Sequence, residues 1–187
     1  MGSMFFKKGS DKFNNLNQIA GKSLKEIQVK DIDGNDKTIG DYMTDKKAVI
    51  FVNTASSCGL TNKNFRELVE IYDKYQKEGL EVLGFPCNQF MGQESKCEFD
   101  IKNFAKNKFK VTFPLFSKID VNGPSTHELY LYLKYHTPEM RLCDGKLKNI
   151  PWNFAKFLVD SEGKVVKFYP SDVDPNKMMT DIEKILH

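Results

Sequence analysis

Two continuous apolar runs joined by one helical segment constrain the fold of this 187-residue chain more than any other feature. Residues 48–52 and 80–85 are typical of strands buried on both faces, because neither run alternates with polar residues. Between them, residues 61–78 repeat apolar side chains at helical spacing. A strand, a helix and a second strand with short joints form a βαβ unit with parallel strands. The sequence therefore predicts an α/β domain with a parallel core.

Two further segments are typical of antiparallel hairpins. Near the start of the domain, Ile27 and Val29 alternate with polar residues, Asp33-Gly34 offers a turn, and residues 37–39 resume the pattern. Later, residues 154–160 and 165–169 are strand-like and flank a short polar turn. The second hairpin extends the parallel core into a mixed sheet.

Three more helices follow from capping and periodicity. Ser95 with Glu98, and Ser125 with Glu128, match the S-x-x-E capping box that opens a helix. A last helix is predicted from about residue 175. The complete pattern predicts a thioredoxin-like fold, with a central mixed sheet, helices on both faces and an N-terminal β-hairpin. The domain spans residues 23–187, and residues 1–22 form a flexible tail whose first three residues resemble a cloning remnant.

Charge and cysteine content exclude several classes of protein. The net charge is only +3 and arginine occurs twice, so the chain is poorly equipped to bind nucleic acid. No apolar run approaches the roughly 20 residues of a membrane span. Four cysteines are too few for a disulfide-built scaffold, and the start of the chain lacks a secretory h-region. We therefore expect a cytoplasmic protein with reactive rather than structural cysteines, and no metal site.

Cys58 is the first candidate for chemistry. It lies in the loop between a buried strand and the N-terminus of a helix, where free N–H groups and the helix dipole favour a thiolate. The alternative is a loop cysteine that packs as a small hydrophobe. Thr61 stands where a dithiol oxidoreductase has its second cysteine. The P-x-x-x-T-x-x-C pattern of a peroxiredoxin is also absent, since Phe51 and Ala55 replace its Pro and Thr.

Gln89, Trp152 and Asn153 are the candidate partners of this sulfur. Gln89 follows the second parallel strand at the same sheet edge, so its amide N–H₂ could steady a thiolate or a leaving oxygen. The alternative is a loop amide that satisfies backbone groups. Trp152 and Asn153 place two adjacent N–H donors before a core strand. The alternative for Trp152 is a purely apolar role in the core.

Together these segments resemble the glutathione peroxidase family, whose motifs are N-V-A-S-x-C-G-x-T, L-G-F-P-C-N-Q-F, G-Q-E and W-N-F-x-K-F-L. The chain carries them, with Thr54 in place of Val, at residues 53–61, 83–90, 92–94 and 152–158. The resemblance implies hydroperoxide reduction, with Cys58 as the peroxidatic residue and Gln89, Trp152 and Asn153 completing the catalytic tetrad. It also implies glutathione or a thioredoxin-like protein as reductant and no bound cofactor. The short stretch before Trp152 resembles the monomeric, phospholipid-hydroperoxide type.

The sequence offers two candidates for the cysteine that resolves oxidised Cys58. Thioredoxin-dependent members carry a resolving cysteine in the helix after G-Q-E, where this chain has Ala105 and Lys106. The Ser95 capping box would place Cys97 in the first turn of that helix, which favours its thiolate. Cys143, in a later loop, is the second candidate.

The predicted function is a thiol peroxidase that reduces hydrogen peroxide and organic or lipid hydroperoxides through a cysteine sulfenic acid. Such an antioxidant enzyme would act in the response to oxidative stress. The alternative is a redox sensor that docks to a client protein when oxidised and does not turn over. The lysines of the Cys97 helix fit either a solvated face or a docking patch for an acidic carrier or an anionic membrane that holds lipid hydroperoxides.

Overall fold

A four-stranded mixed sheet organises the chain in this computed structural model, which describes Leu16 and residues 19–187. The strand order is β4-β3-β5-β6, with β3 and β4 parallel and the other neighbours antiparallel. A separate antiparallel hairpin, β1 with β2, precedes it. The strands are β1 (Gln28–Lys30), β2 (Asp36–Thr38), β3 (Ala48–Thr54), β4 (Leu80–Pro86), β5 (Lys156–Asp160) and β6 (Val165–Tyr169). The predicted βαβ unit, mixed sheet and N-terminal hairpin are confirmed.

Helices cover both faces of this sheet. The α-helices whose bounds lie within the described residues are α1 (Gly40–Met43), α2 (Thr61–Tyr75), α3 (Glu98–Phe109), α4 (Glu128–Tyr135) and α5 (Met179–Leu186). Short 3-10 helices occupy Leu24–Glu26, Gln76–Glu78, Pro138–Met140 and Pro175–Met178. Among the described residues, no helix is long and apolar enough to cross a membrane.

Strand β3 separates two apolar cores. Ile50 and Val52 belong to the core that contains Phe65 of α2, whereas Phe51 belongs to the opposite core with Leu129 of α4. Because successive side chains of a strand point to opposite faces, a strand between two cores needs apolar residues at every position. That requirement explains the unbroken run at residues 48–52.

The two predicted capping boxes are wrong. Helix α3 begins at Glu98 with Cys97 as its N-cap, and α4 begins at Glu128 with His127 as its N-cap. The serine Oγ of Ser125 instead donates to a carboxylate oxygen of Asp120, 2.6 Å away. The helix is capped by His127, whose Nδ1 accepts the N–H of Leu129 at 3.2 Å. As a consequence, Cys97 precedes the first turn of α3 and does not lie within it.

The packed domain begins earlier than Ser23. Ile19 is buried in the same core as Leu24, and the Nζ of Lys22 lies 2.7 Å from a carboxylate oxygen of Glu128. Burial of the Ile19 side chain therefore draws residues 19–22 out of the predicted tail and into the domain. The prediction of a flexible tail for residues 1–15, 17 and 18 lies outside the described residues.

Candidate active site

Cys58 lies in the loop that joins β3 to α2. Its side chain is buried, and its Sγ accepts the N–H of Leu60 at 3.5 Å. Thr61 fixes the loop, because its Oγ1 accepts the N–H of Cys58 at 3.2 Å and donates to the carbonyl oxygen of Ala55 at 2.6 Å. The sulfur is thus held at the start of a 15-residue helix with an N–H directed at it. Both features stabilise a thiolate.

The loop after β4 packs against the Cys58 loop. The register pairs Thr54 with Pro86, so the two strands end at the same sheet edge, as predicted. The Ser57 N–H donates to the carbonyl oxygen of Gln93 at 3.1 Å. The Ser56 Oγ donates to a Glu94 carboxylate oxygen at 3.0 Å. Two hydrogen bonds from consecutive residues therefore hold the cysteine loop against the G-Q-E segment, residues 92–94.

Trp152 and Asn153 reach the same place from the segment before β5. Asn153 is fully buried, and its Nδ2 donates to the Oε1 of Gln93 at 2.9 Å. The Trp152 ring packs against the core that contains Cys58 and lies 5.7 Å from the Phe90 ring, centroid to centroid. Within the described part of the chain, no group accepts a hydrogen bond from the Trp152 indole N–H. This donor is available to a bound molecule.

Gln89 is not brought to Cys58 in this structure. Its Oε1 accepts the N–H groups of Val121 and Asn122, at 2.8 and 2.9 Å, and its Nε2 donates to the carbonyl oxygen of Asn122 at 2.9 Å. The expected donation toward the cysteine sulfur is therefore replaced by a tether to the 121–122 backbone. The reason is that one amide satisfies three backbone groups of a neighbouring loop at once.

Gln93 and Glu94 are the site residues that sequence reasoning missed. Gln93 contacts both the Cys58 loop and Asn153, so it joins the two halves of the site. Glu94 is buried, and burial raises the pKa of its carboxyl group. The G-Q-E tripeptide could have indicated these two residues, because it matches a motif of the family. The motif by itself does not show which groups Gln93 and Glu94 contact.

The two candidate resolving cysteines are both on the surface. All four cysteines of the chain are free, with Cys97 and Cys143 exposed and Cys58 and Cys87 buried. The Sγ of Cys97 lies 3.3 Å from a carboxylate oxygen of Asp100. Burial raises the pKa of the Cys87 thiol, which keeps that thiol protonated and unreactive. Among the described residues, no group of three or more His, Cys, Asp or Glu side chains is arranged to hold a metal ion.

Comparison with known proteins gives consistent matches over most of the chain. A family model described as glutathione peroxidase matches residues 24–134. Phospholipid hydroperoxide glutathione peroxidase 1, chloroplastic, of Arabidopsis thaliana is 45% identical over 167 residues, covering 89% of this chain and 68% of the relative. Glutathione peroxidase homolog BsaA of Bacillus subtilis is 45% identical, covering 88% and 98%. The crystal structure of T. cruzi GPX1 superposes with a TM-score of 0.68 at 31% identity, covering 88% and 97%.

Proposed function

Because the chain belongs to the glutathione peroxidase family, and is therefore a hydroperoxide oxidoreductase with a thioredoxin-like fold, we propose that Cys58 carries out its reaction. The observation that carries this proposal is the position of the Cys58 sulfur, buried before α2 with the Leu60 N–H directed at it. A thiolate held in this way is a nucleophile that can attack a peroxide oxygen.

The first half-reaction oxidises Cys58. Its thiolate attacks one peroxide oxygen, so that a sulfur–oxygen bond forms while the oxygen–oxygen bond breaks. The sulfur loses two electrons, and the departing oxygen takes up a proton and leaves as water or an alcohol. In this proposal, the indole N–H of Trp152 and the amides of Asn153 and Gln89 stabilise the thiolate and the departing oxygen. Gln89 must then exchange its tether to Asn122 for a contact with the substrate.

The second half-reaction returns Cys58 to the thiol. A second thiol condenses with the sulfenic acid and releases water, which leaves a disulfide. If the second thiol is glutathione, another glutathione reduces the mixed disulfide and releases the Cys58 thiol. If it is a cysteine of this chain, a thioredoxin-like protein reduces the disulfide. We propose that the enzyme is a cytoplasmic monomer that acts as an antioxidant in the response to oxidative stress.

Lipid hydroperoxides are the organic substrates that the surface favours. Met91, in the loop after Phe90, and Phe99, in the first turn of α3, are 82% and 71% exposed, which is unusual for large apolar side chains. Lys106 and Lys108 follow Phe99 on α3. Exposed apolar side chains next to lysines suit an anionic lipid surface. The name of the Arabidopsis relative includes phospholipid hydroperoxide, in line with this choice.

A turnover assay separates the peroxidase from the redox sensor. We expect many equivalents of hydroperoxide to be consumed per protein when either glutathione or a thioredoxin system is supplied, because each regenerates Cys58. Comparing the two reductants under the same conditions identifies the physiological class. A protein that consumes one equivalent and then stalls with both reductants would be the sensor.

Cys97 is expected to be the thiol that resolves oxidised Cys58. It is exposed at the start of α3, the helix that holds the resolving cysteine in the related sequences, and it precedes the regular turns. Treatment with one equivalent of peroxide should give a Cys58–Cys97 peptide on disulfide mapping. Cys97→Ser should then lose thioredoxin-dependent turnover.

Two other outcomes of that experiment would contradict the role of Cys97. A Cys58–Cys143 peptide would transfer resolution to Cys143. Cys58 found only as a mixed disulfide with added glutathione would mean that no thiol of this chain resolves it.

A further inference from the structure

A fully buried lysine lies beneath α2, the helix that follows the active-site cysteine loop. Lys156, in β5, has no exposed surface, and its Nζ donates to the Oδ1 of Asn64 at 3.1 Å and to the carbonyl oxygen of Val173. Burial lowers its pKa to about 8, although the carboxylates of Asp174, Glu67 and Asp172 oppose this shift. Within the described residues, no carboxylate forms an ion pair with the Lys156 Nζ.

Such a lysine is costly for folding. A buried ammonium without a paired carboxylate loses hydration that two neutral oxygens replace only in part. An apolar side chain of similar volume usually gives equal or greater stability at such a position. The retained charge therefore needs an explanation other than stability, and its contacts provide one.

The contacts of Lys156 lead to the cysteine in three hydrogen bonds. Lys156 binds the Oδ1 of Asn64, and the Nδ2 of that same amide donates to the carbonyl oxygen of Leu60 at 3.0 Å. Leu60 in turn donates its N–H to the Sγ of Cys58 at 3.5 Å. We propose that Lys156 is a positioning residue for Cys58, acting through Asn64 to hold the Leu60 N–H on the sulfur.

The electrostatics of the amide explain why a charged residue is used. A cation at Oδ1 polarises the Asn64 side chain and makes its Nδ2–H a stronger donor. The Leu60 carbonyl oxygen also accepts the backbone N–H of Asn64 at 3.0 Å, so two donors of one residue fix Leu60 at the helix N-cap. The carbonyl and the N–H of Leu60 belong to adjacent peptide units that share its Cα, so anchoring the carbonyl restrains Leu60 and keeps its N–H directed at the sulfur during the attack on peroxide.

This inference rests on the proposed function and predicts an effect on one half-reaction only. Lys156→Met removes the cation, and Asn64→Asp keeps an acceptor for Lys156 but removes the donor to Leu60. In both variants the rate constant for oxidation by hydrogen peroxide should fall about tenfold, the effect of losing one charge-assisted hydrogen bond. The rate constant for reduction of the oxidised protein should stay within about twofold of wild type. Lys156→Arg should restore part of the oxidation rate.

The matched control is Tyr75→Phe, which removes the hydrogen bond from Tyr75 to Glu183 at the opposite end of α2. Stopped-flow fluorescence of Trp152, the single tryptophan, measures both half-reactions. The inference is overturned if Asn64→Asp oxidises as fast as Tyr75→Phe, or if both half-reactions slow equally. If wild type itself does not react with peroxide, the proposed function fails as well. Asn64→Asp, which leaves Lys156 with a carboxylate partner, keeps the test valid if Lys156→Met does not fold.

Discussion

Replacing Cys58 by serine is expected to abolish hydroperoxide turnover. A serine hydroxyl is barely ionised near neutral pH and lacks the nucleophilicity of sulfur. The substitution keeps the volume and the hydrogen-bonding positions around Leu60 and Thr61, so the loop should keep its conformation. The measurement is steady-state consumption of hydrogen peroxide with glutathione and with a thioredoxin system.

The control for this variant is a measurement of its folding. Circular dichroism and thermal unfolding should match wild type, because the two hydrogen bonds of Thr61 that fix the loop involve no sulfur atom. Substantial turnover by folded Cys58→Ser would assign the chemistry to another residue. Because Cys87 is buried and its thiol pKa is raised, that residue would have to be one of the two exposed cysteines.

Removing the proposed N–H donors of Trp152 and Gln89 is expected to have the second-largest effect. Trp152→Phe removes the indole N–H but keeps an aromatic ring against Phe90. Loss of one preorganised donor costs up to about 10²–10³ in rate in oxyanion sites. We expect a fall of roughly 10²-fold in the rate constant for oxidation of Cys58 by peroxide. The fold should remain intact.

Gln89 needs two variants, because its amide also tethers the 121–122 backbone. Gln89→Ala removes both the N–H₂ donor and the tether. Gln89→Glu keeps oxygens that accept the N–H groups of Val121 and Asn122 but has no N–H₂. If the donor matters, both variants should oxidise slowly, as measured by rapid mixing with peroxide. If only the tether matters, Gln89→Glu should react like wild type. Unchanged oxidation in Gln89→Ala and in Trp152→Phe would make both residues structural.

The sequence predicted the central sheet well because its physical constraints are local. A strand between two cores needs apolar residues on both faces, and residues 48–52 meet that condition at every position, while residues 80–85 meet it at all but Glu81, which pairs with Lys46. The position of Cys58 followed from the same reasoning, since the loop between a buried strand and a helix is defined once both elements are placed. The sheet edge at which Cys58 lies also follows from the parallel pairing of β3 with β4.

The contacts inside the site were not predictable from local pattern. Ser125 has the spacing of a helix cap, but Asp120 competes for its hydroxyl in the folded chain. Gln89 has the position of a catalytic amide, but the 121–122 backbone offers it three partners. Gln93 joins segments that are 60 residues apart in the sequence through its contact with Asn153. Competition among distant polar groups decides all three cases, and it is settled only in the folded structure.

The most direct test that Cys58 is the peroxidatic residue is to treat the reduced protein with one equivalent of an organic hydroperoxide. The products are then measured together, as alcohol formed and as sulfenic acid trapped by a dione reagent and located by peptide mass spectrometry. The double variant Cys97→Ser/Cys143→Ser has no exposed cysteine of its own to capture the oxidised sulfur, so we expect one alcohol per protein and the label on Cys58. Label on Cys87 alone, or full alcohol formation with Cys58 unmodified, would contradict it.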